Sequence, residues 1–405
     1  MKKLKIVNHN FFMQKDIFRF ELLTNVISGP KSIYNINNFL VEKNYKKIGL
    51  VIDKNLSKNS KYIKTFLKQF QTKNKSSRTL YFNGSNEPTY QYLDKVIKEI
   101  RKKKNKFDCL IAIGGGSTID FAKGIATLIK NPGSSLKYKG FPKNLNPSVP
   151  IVAVPSTTGA GAELAYNAVF IDKINKTKLG INSKTNYPIL SILDPIITVN
   201  SPKKVILNSS VGALVRSIDT MFNKKANEIS TIFSENSFKL LFNSLPKVLR
   251  KKNDIKNWSK MQWGAYFSVA ALLNSYSGPG GSISYYLSTN YGVPQGLGYS
   301  ISSIYFFERN HNKGFHEYSK LYDFVQDKKK INKSSVREKS KFIIKSLIKI
   351  LKKNKLSLKK YMISKEENAK ILKFMLQSEY KRNSANPIKL GKEDLKIIIK
   401  KILST

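Results

Sequence analysis

In the first half of the chain, short apolar runs alternate with segments whose apolar residues recur every three or four positions. Residues 48–52, 79–82, 109–113 and 150–154 are runs of four or five, rich in Ile, Val and Leu. Such runs predict strands buried on both faces, as in a parallel sheet. After the Gly29-Pro30 turn, Ile33, Ile36, Phe39 and Leu40 have helical spacing, as do Leu93, Val96, Ile97 and Ile100, and Ile119, Phe121, Ala122 and Ile125. Past Asp194-Pro195 strand-like runs become scarce. Helical spacing takes over at 211–222, 229–249, 261–273, 341–351, 366–376 and 392–402. The pattern predicts an α/β domain with a doubly wound parallel sheet at 1–194 and a helical domain at 195–405.

Two glycine-rich turns stand out against this pattern, and both follow predicted strands. The first is Gly114-Gly115-Gly116, with Ser117 opening a helix and Asp120 three residues on as an acidic capping-box partner. Glycines let the backbone approach a ligand closely, and the amides at a helix start attract anions. The turn therefore reads as a pyrophosphate cradle, or as a tight strand-to-helix turn with no ligand. The second turn, residues 155–163, carries hydroxyls at Ser156, Thr157 and Thr158. In a doubly wound sheet both fall on the carboxyl edge, where ligands bind. Asp53, ending an early strand, is placed to hold a ribose or is a plain loop carboxylate.

Composition adds one anomaly. The 405 residues are 41% hydrophobic and 24% charged, as in ordinary globular proteins, but the net charge is +46. A basic chain can bind nucleic acid. Here the basic residues are spread over nearly every segment, Lys, Asn and Ile are all abundant, and no nucleic-acid motif accompanies them. A coding sequence rich in A and T accounts for this, and no specific nucleic-acid partner is expected. Cys109 is the only cysteine and sits in a predicted core strand, so neither a disulfide framework nor a cysteine metal cluster forms. Polar residues interrupt the basic N-terminus (Lys2, Lys3, Lys5) before any apolar core of a signal peptide. The apolar stretch 149–171 contains Pro155, a glycine turn and Glu163, so it is not a membrane span. A cytoplasmic enzyme acting on a small molecule is the expectation.

GGGSTIDFAK, PSTTGAGAE, Lys178-Leu179-Gly180 and LDPIIT, in that order and spacing, resemble the iron-containing (group III) alcohol dehydrogenase family over residues 25–310. The runs at 131–141 and 177–183 look most similar to 3-deoxy-D-manno-octulosonate 8-oxidase-like members. The resemblance implies a Rossmann-like dinucleotide-binding domain and an all-helical C-terminal domain of dehydroquinate-synthase-like architecture, with the active site between them and a homodimer as the common assembly. It implies NAD rather than NADP, because Asp53 matches an acidic residue that contacts the adenosine ribose. It also implies that Gly115, Gly116 and Ser117 turn around the pyrophosphate, that Thr157 and Thr158 contact the cofactor, and that Lys178 contacts a ribose. The candidate cofactor-binding set is Asp53, Gly114, Gly115, Gly116, Ser117, Asp120, Ser156, Thr157, Thr158 and Lys178. Glu87 replaces a common Asn, and Ala160 a common Thr.

The family's divalent ion is held by one Asp and three His, and those positions here read Gly212, Arg216, Gly281 and Gln295. A further family histidine matches Tyr285. None of the three histidines, His9, His311 and His316, falls in these motifs. Glycine, arginine and glutamine are not the neutral imidazoles and carboxylates that a divalent ion needs. The expectation is a metal-free oxidoreductase in which Arg216 supplies fixed charge, Tyr285 relays a proton and Gln295 hydrogen-bonds the substrate. Arg216 in a buried ion pair with Asp219 is the structural alternative. A catalytically silent relative that binds dinucleotide as a sensor or scaffold is the functional one.

Overall fold

The computed structural model describes residues 18–103, 106–326, 335–377 and 384–405. The basic N-terminus with His9, and residues 327–333 of a Lys/Asn-rich stretch expected to be an exposed loop, lie outside them. The described strands are β1 (Asn25–Ser28), β2 (Ile48–Asp53), β3 (Arg78–Phe82), β4 (Cys109–Gly114), β5 (Ile151–Pro155), β6 (Asn167–Asp172), β7 (Thr177–Asn182) and β8 (Leu190–Leu193). Six form one sheet, all parallel, in the order β1-β8-β5-β4-β2-β3. The other two, β6 and β7, pair as an antiparallel hairpin.

Helices α1 (Ile36–Glu42), α2 (Lys54–Asn59), α3 (Lys61–Lys73), α4 (Tyr90–Lys102) and α5 (Gly116–Lys130) alternate with the first strands. The sheet is buried on both faces. Cys109, Ile111 and Ile113 pack with Ile33, Phe66 and Phe70, while the intervening Leu110 and Ala112 pack with Leu93, Ile119 and Ile125. Apolar residues at every position, rather than at alternate ones, follow from that two-sided burial.

The rest is helical: α6 (Pro195–Val199), α7 (Lys203–Phe222), α8 (Glu228–Arg250), α9 (Ile255–Leu273), α10 (Gly280–Tyr291), α11 (Gln295–Asn312), α12 (Val336–Lys353), α13 (Glu367–Leu376) and α14 (Lys392–Leu403). The helical pattern foretells six of these. It misses the short α6, and also α10 and α11, whose buried positions include Gly280, Gly281, Ser282, Ser284, Ser288, Ser300, Ser302 and Ser303. Small residues let the helix backbones approach closely but leave no apolar period to read. The hairpin was also missed: β6 buries Ala168, Phe170 and Asp172 between half-buried Asn167, Val169 and Ile171, and β7 buries Gly180, Ile181 and Asn182 in succession, so neither strand carries a plain apolar–polar alternation.

Two features join the halves. Leu164 and Leu193 pack against Tyr266, Val269 and Ala270 of α9. Buried Asp194 caps α6 through Ile196 N (3.1 Å), accepts from Tyr62 Oη (2.7 Å), and its carbonyl accepts from Gln262 Nε2 (3.1 Å).

Candidate active site

The carboxyl ends of β2, β4 and β5 bring Asp53, Gly114–Ser117 and the second glycine turn to one edge of the sheet. The turns are in direct contact. Ser156 N donates to Gly114 O (2.9 Å), and a Cβ on Gly116 would lie 2.4 Å from Ala160 Cβ. A Cβ on Gly115 would meet Thr157 Cγ2 at 3.4 Å, and one on Gly114 would meet Thr118 Oγ1 at 2.6 Å. Thr118 Oγ1 is itself buried without a hydrogen-bond partner. The residue preceding α5 is Gly115, which gives no side-chain cap, so the first-turn amides keep their anion-binding capacity. A close-packed glycine cradle at an uncapped helix start fits a pyrophosphate.

The capping box expected of Ser117 and Asp120 does not form, because the helix begins two residues earlier, with Gly115 rather than Ser117 as its N-cap. Asp120 instead accepts from the Val169 amide on β6 and faces Lys123 and Lys178. Its neighbour Lys123 is fully buried, and its Nζ donates to Ala165 O (2.5 Å) and Asn167 O (3.0 Å). Burial pushes the Asp120 carboxyl up and the Lys123 ammonium down, while their opposite charges pull each back. The pair anchors the hairpin to α5.

Asp53 Oδ1 accepts from Leu56 N (2.7 Å) at the start of α2. The backbone of Gly84 crosses the other oxygen so closely that a Cβ there would lie 1.9 Å from Oδ2. Thr158 departs from its expected role: its buried hydroxyl bonds Ser210 Oγ of α7 (2.6 Å), away from the open edge. Ser156 is also buried, and its carbonyl accepts from Ser201 Oγ (3.0 Å). An open groove of about 800 Å³, lined by Lys54, Lys58, Lys64, Lys68 and Tyr81 among others, lies on α2 and α3, outside this cleft.

Across the cleft, Lys178 of β7 reaches the helical half. Its Nζ bonds Glu87 Oε2, Ser288 Oγ (3.1 Å) and Gln295 Oε1 (2.9 Å), and it sits 5.4 Å from the Tyr285 ring centroid. Gln295 is used at both ends, since its Nε2 donates to Ser284 Oγ (2.5 Å). Its expected part in hydrogen-bonding a substrate is therefore taken by protein partners. Arg216 lies on α7, with Nη1 donating to Gly159 O (2.8 Å) and Ser268 Oγ (3.2 Å). No salt bridge within 4 Å joins it to Asp219, but it is buried with the charges of Glu163 and Asp219 both acting on it, which keeps the structural alternative of a buried ionic cluster in play. Asp219 accepts from Tyr299 Oη (2.5 Å) and Ser303 Oγ (3.2 Å), and burial raises its pKa to about 6. Buried Glu163 faces both Lys123 and Arg216, and burial pushes its carboxyl up too.

The positions matched to the metal ligands do come together. Gly212 abuts Gly296, a Cβ there lying 3.1 Å from Gly296 Cα, and Ser284 Oγ links Gln295 to Gly281 O (2.9 Å). Their chemistry does not fit a divalent ion. Two carry no side-chain donor atom, one is a cation, and the fourth is an amide committed to Lys178. Among the described residues no group of three His, Cys, Asp or Glu could hold one. His311 and His316 lie elsewhere, Nδ1 to Nδ1 at 3.2 Å, with Ser340 Oγ 2.9 Å from His311.

Sequence reading missed Ser288, Ser284, Glu163 and Lys123 as parts of this centre. Lys123 was within sight, lying inside GGGSTIDFAK. The serines were not, because nothing in a GSISYYLS run says which hydroxyl faces the cleft.

No helix among the described residues is long and apolar enough to cross a membrane. Residues 24–195 match the family model described as iron-containing alcohol dehydrogenase, and residues 206–403 match that of the Fe-containing alcohol dehydrogenase family, C-terminal. The chain is similar to an NAD-dependent methanol dehydrogenase of Bacillus methanolicus, 30% identical over 200 residues, covering 49% of this chain and 52% of that protein. It is also similar to a 4-hydroxybutyrate dehydrogenase of Clostridium kluyveri, 29% identical over 244 residues, covering 59% and 65%. The chain thus spans about half to two thirds of the length of these curated relatives. An alcohol dehydrogenase from Oenococcus oeni shares the fold, with a TM-score of 0.85 at 22% identity over 95% of this chain and 100% of that one. With both halves matched in register, the chain belongs to the iron-containing alcohol dehydrogenase family.

Proposed function

We propose that this protein is an NAD-dependent oxidoreductase that interconverts a small polar or acidic alcohol and its carbonyl without the family's divalent ion. The observation that carries the reading is the pair of interlocked glycine turns on the sheet edge, with two cations close by: Arg216 of the helical half, which donates to Gly159 O of the second turn, and Lys178 of the β6–β7 hairpin, which reaches Gln295. Asp53 at the adenosine end favours NAD, since a carboxylate repels a 2′-phosphate. The NAD-dependent relative supports the same choice. The acidic substrate class draws support from the two cations and from the 4-hydroxybutyrate dehydrogenase relative. An acidic sugar of the octulosonate type is one member of that class. The reading divides the chain at 1–194 and 195–405, cofactor on the first part and reaction centre between the two.

When bound, the nicotinamide supplies the hydride acceptor or donor. The residues supply the rest. Gly115, Gly116 and Ser117 hold the pyrophosphate through backbone amides, with Thr157 beside them. In oxidation the hydroxyl proton leaves first, so negative charge builds on the substrate oxygen and is discharged as the hydride departs and the C=O bond forms; in reduction the same charge builds as hydride adds, and fixed positive charge nearby lowers the barrier in both directions. Arg216, oriented by Gly159 O and Ser268 Oγ, offers a guanidinium that suits a carboxylate or polarised carbonyl. Tyr285, whose ring centroid lies 5.4 Å from the Lys178 ammonium, is the residue this reading assigns to the proton relay.

The test is calorimetric titration with NAD and NADP, then turnover of an aldehyde and hydroxy-acid panel after exhaustive chelation, with Arg216→Ala alongside. The reading expects tighter NAD binding, unchanged wild-type turnover and a loss of about 10²–10³ in kcat for the variant. Loss of wild-type turnover on chelation sinks the metal-free reading. NAD binding without turnover on any substrate would make the protein a binder.

A further inference from the structure

We propose that Lys178 is the catalytic cation of this enzyme, its ammonium standing where a divalent ion would polarise the substrate oxygen. The inference rests on the metal-free hydride-transfer reading and deepens it. The Lys178 ammonium bonds Glu87 Oε2, Ser288 Oγ and Gln295 Oε1, and two of those three acceptors belong to the helical wall. Gln295 stands at one of the four positions matched to metal ligands, and the Tyr285 ring stands at the matched reaction-centre histidine.

The network has one consistent direction. Ser288 Oγ, with a single proton, donates to Glu87 Oε2 (3.0 Å) and so accepts from Lys178. Gln295 Nε2 donates to Ser284 Oγ, and Ser284 Oγ donates to Gly281 O, so the Gln295 carbonyl is left to face the ammonium. The Lys178 side chain is only 5% exposed, and Glu87 balances its charge. A charge so buried is tolerated only when paired and hydrogen-bonded, as this one is.

In the reaction the substrate oxygen displaces Ser288 or Gln295 as one acceptor of the ammonium. The carbinol C–H bond breaks with both electrons passing to the nicotinamide, the hydroxyl proton leaves to water, and the C=O bond forms. Lys178 keeps its proton throughout and stabilises the oxygen while it carries charge.

The experiment uses the full chain after chelation, with NADH and succinic semialdehyde, glyoxylate or propionaldehyde as probes. Lys178→Met, Lys178→Arg and the neutral pair Lys178→Met with Glu87→Gln are compared for kcat, KM and the calorimetric Kd for NAD+. The double variant guards against misfolding from an unpaired Glu87. Expected are a fall in kcat of about 10²–10³ for both methionine variants and partial rescue by arginine, with Kd for NAD+ within about threefold of wild type. A tenfold weaker Kd with kcat retained would overturn the proposal and return Lys178 to the ribose. Wild-type turnover that survives chelation while Lys178→Met turns over equally fast would overturn this inference alone. Wild-type turnover lost on chelation and restored by Zn²⁺ or Fe²⁺, or absent on every probe, would overturn the metal-free reading and this one with it.

Discussion

Gly116→Ala tests the cofactor cradle directly. The added Cβ would stand 2.4 Å from Ala160 Cβ, more than 1 Å inside the ordinary carbon–carbon contact of about 3.5–4.0 Å. Both atoms are fixed to backbone, so no side chain can swing away and the two turns must separate by roughly that amount. Overpacking of this kind costs about 1–3 kcal/mol. Alanine in a helix returns about 0.5–1 kcal/mol relative to glycine, so the net effect on folding is small. The larger effect falls on the ligand. A shift of about 1 Å takes at least one first-turn amide out of range of the pyrophosphate, and a hydrogen bond to a charged group contributes about 1.5–3 kcal/mol. The Kd for NAD+ should therefore rise by about 10–100-fold. Calorimetric titration measures it, with a thermal melt as the folding control. The double variant Gly116→Ala with Ala160→Gly supplies the check, since the nearest remaining Ala160 atom, Cα, lies at 3.9 Å, an ordinary contact. Its Kd should return to within about threefold of wild type. Unchanged affinity in the single variant would refute the cradle. Failure of the double variant to recover would refute the clash with Ala160 as its mechanism.

Two further predictions concern stability. Buried Asp172 accepts from Lys139 Nζ (3.0 Å) and Asn175 Nδ2 (2.8 Å). Burial raises its pKa, but the hydrogen bonds from Asn175 and Lys139 outweigh it and hold the carboxyl well below the usual range. Its stabilisation is thus present above the unfolded value near pH 4 and is lost as pH falls through the depressed folded one. Asp172→Asn should cost roughly 2 kcal/mol at pH 7, and melts should show the gap closing on acidification; an equal gap at pH 2.5 and pH 7 would count against the charged-carboxylate account. Thr158→Val leaves Ser210 unpaired and should cost about 1–2 kcal/mol with the Kd for NAD+ unchanged. A weakened Kd at constant Tm would return Thr158 to the cofactor.

The sheet half with its glycine turns was legible because its signals are local. Glycines at a close approach, an apolar run buried on both faces and an acidic residue ending a strand are each written in a few adjacent residues. The start of α5 was misplaced by two residues for a local reason as well: Ser117 and Asp120 offer a capping pattern, but the extended backbone at Gly115 already serves as the cap, and Val169 N claims Asp120. In the helical half, Gly212, Arg216, Gly281 and Gln295 offered only residue types, with no local signal of what each would meet.

What the chain alone determines, then, is the alternation of strand and helix, the two glycine turns, the switch to helices after Asp194 and the chemistry at the four matched positions. Tertiary structure decides the rest. Lys178 and Gln295 are 117 residues apart, and Glu87 and Ser288 are 201 apart. They meet only because the β6–β7 hairpin is pinned to α5 by Lys123 and Asp120 and laid against α10. A hydrogen bond depends on distance and direction in space, and spacing along a chain encodes those only within a turn or two of helix or a single strand pair. Contacts across the cleft are therefore properties of the folded chain, and with them the question of which cation serves the reaction centre.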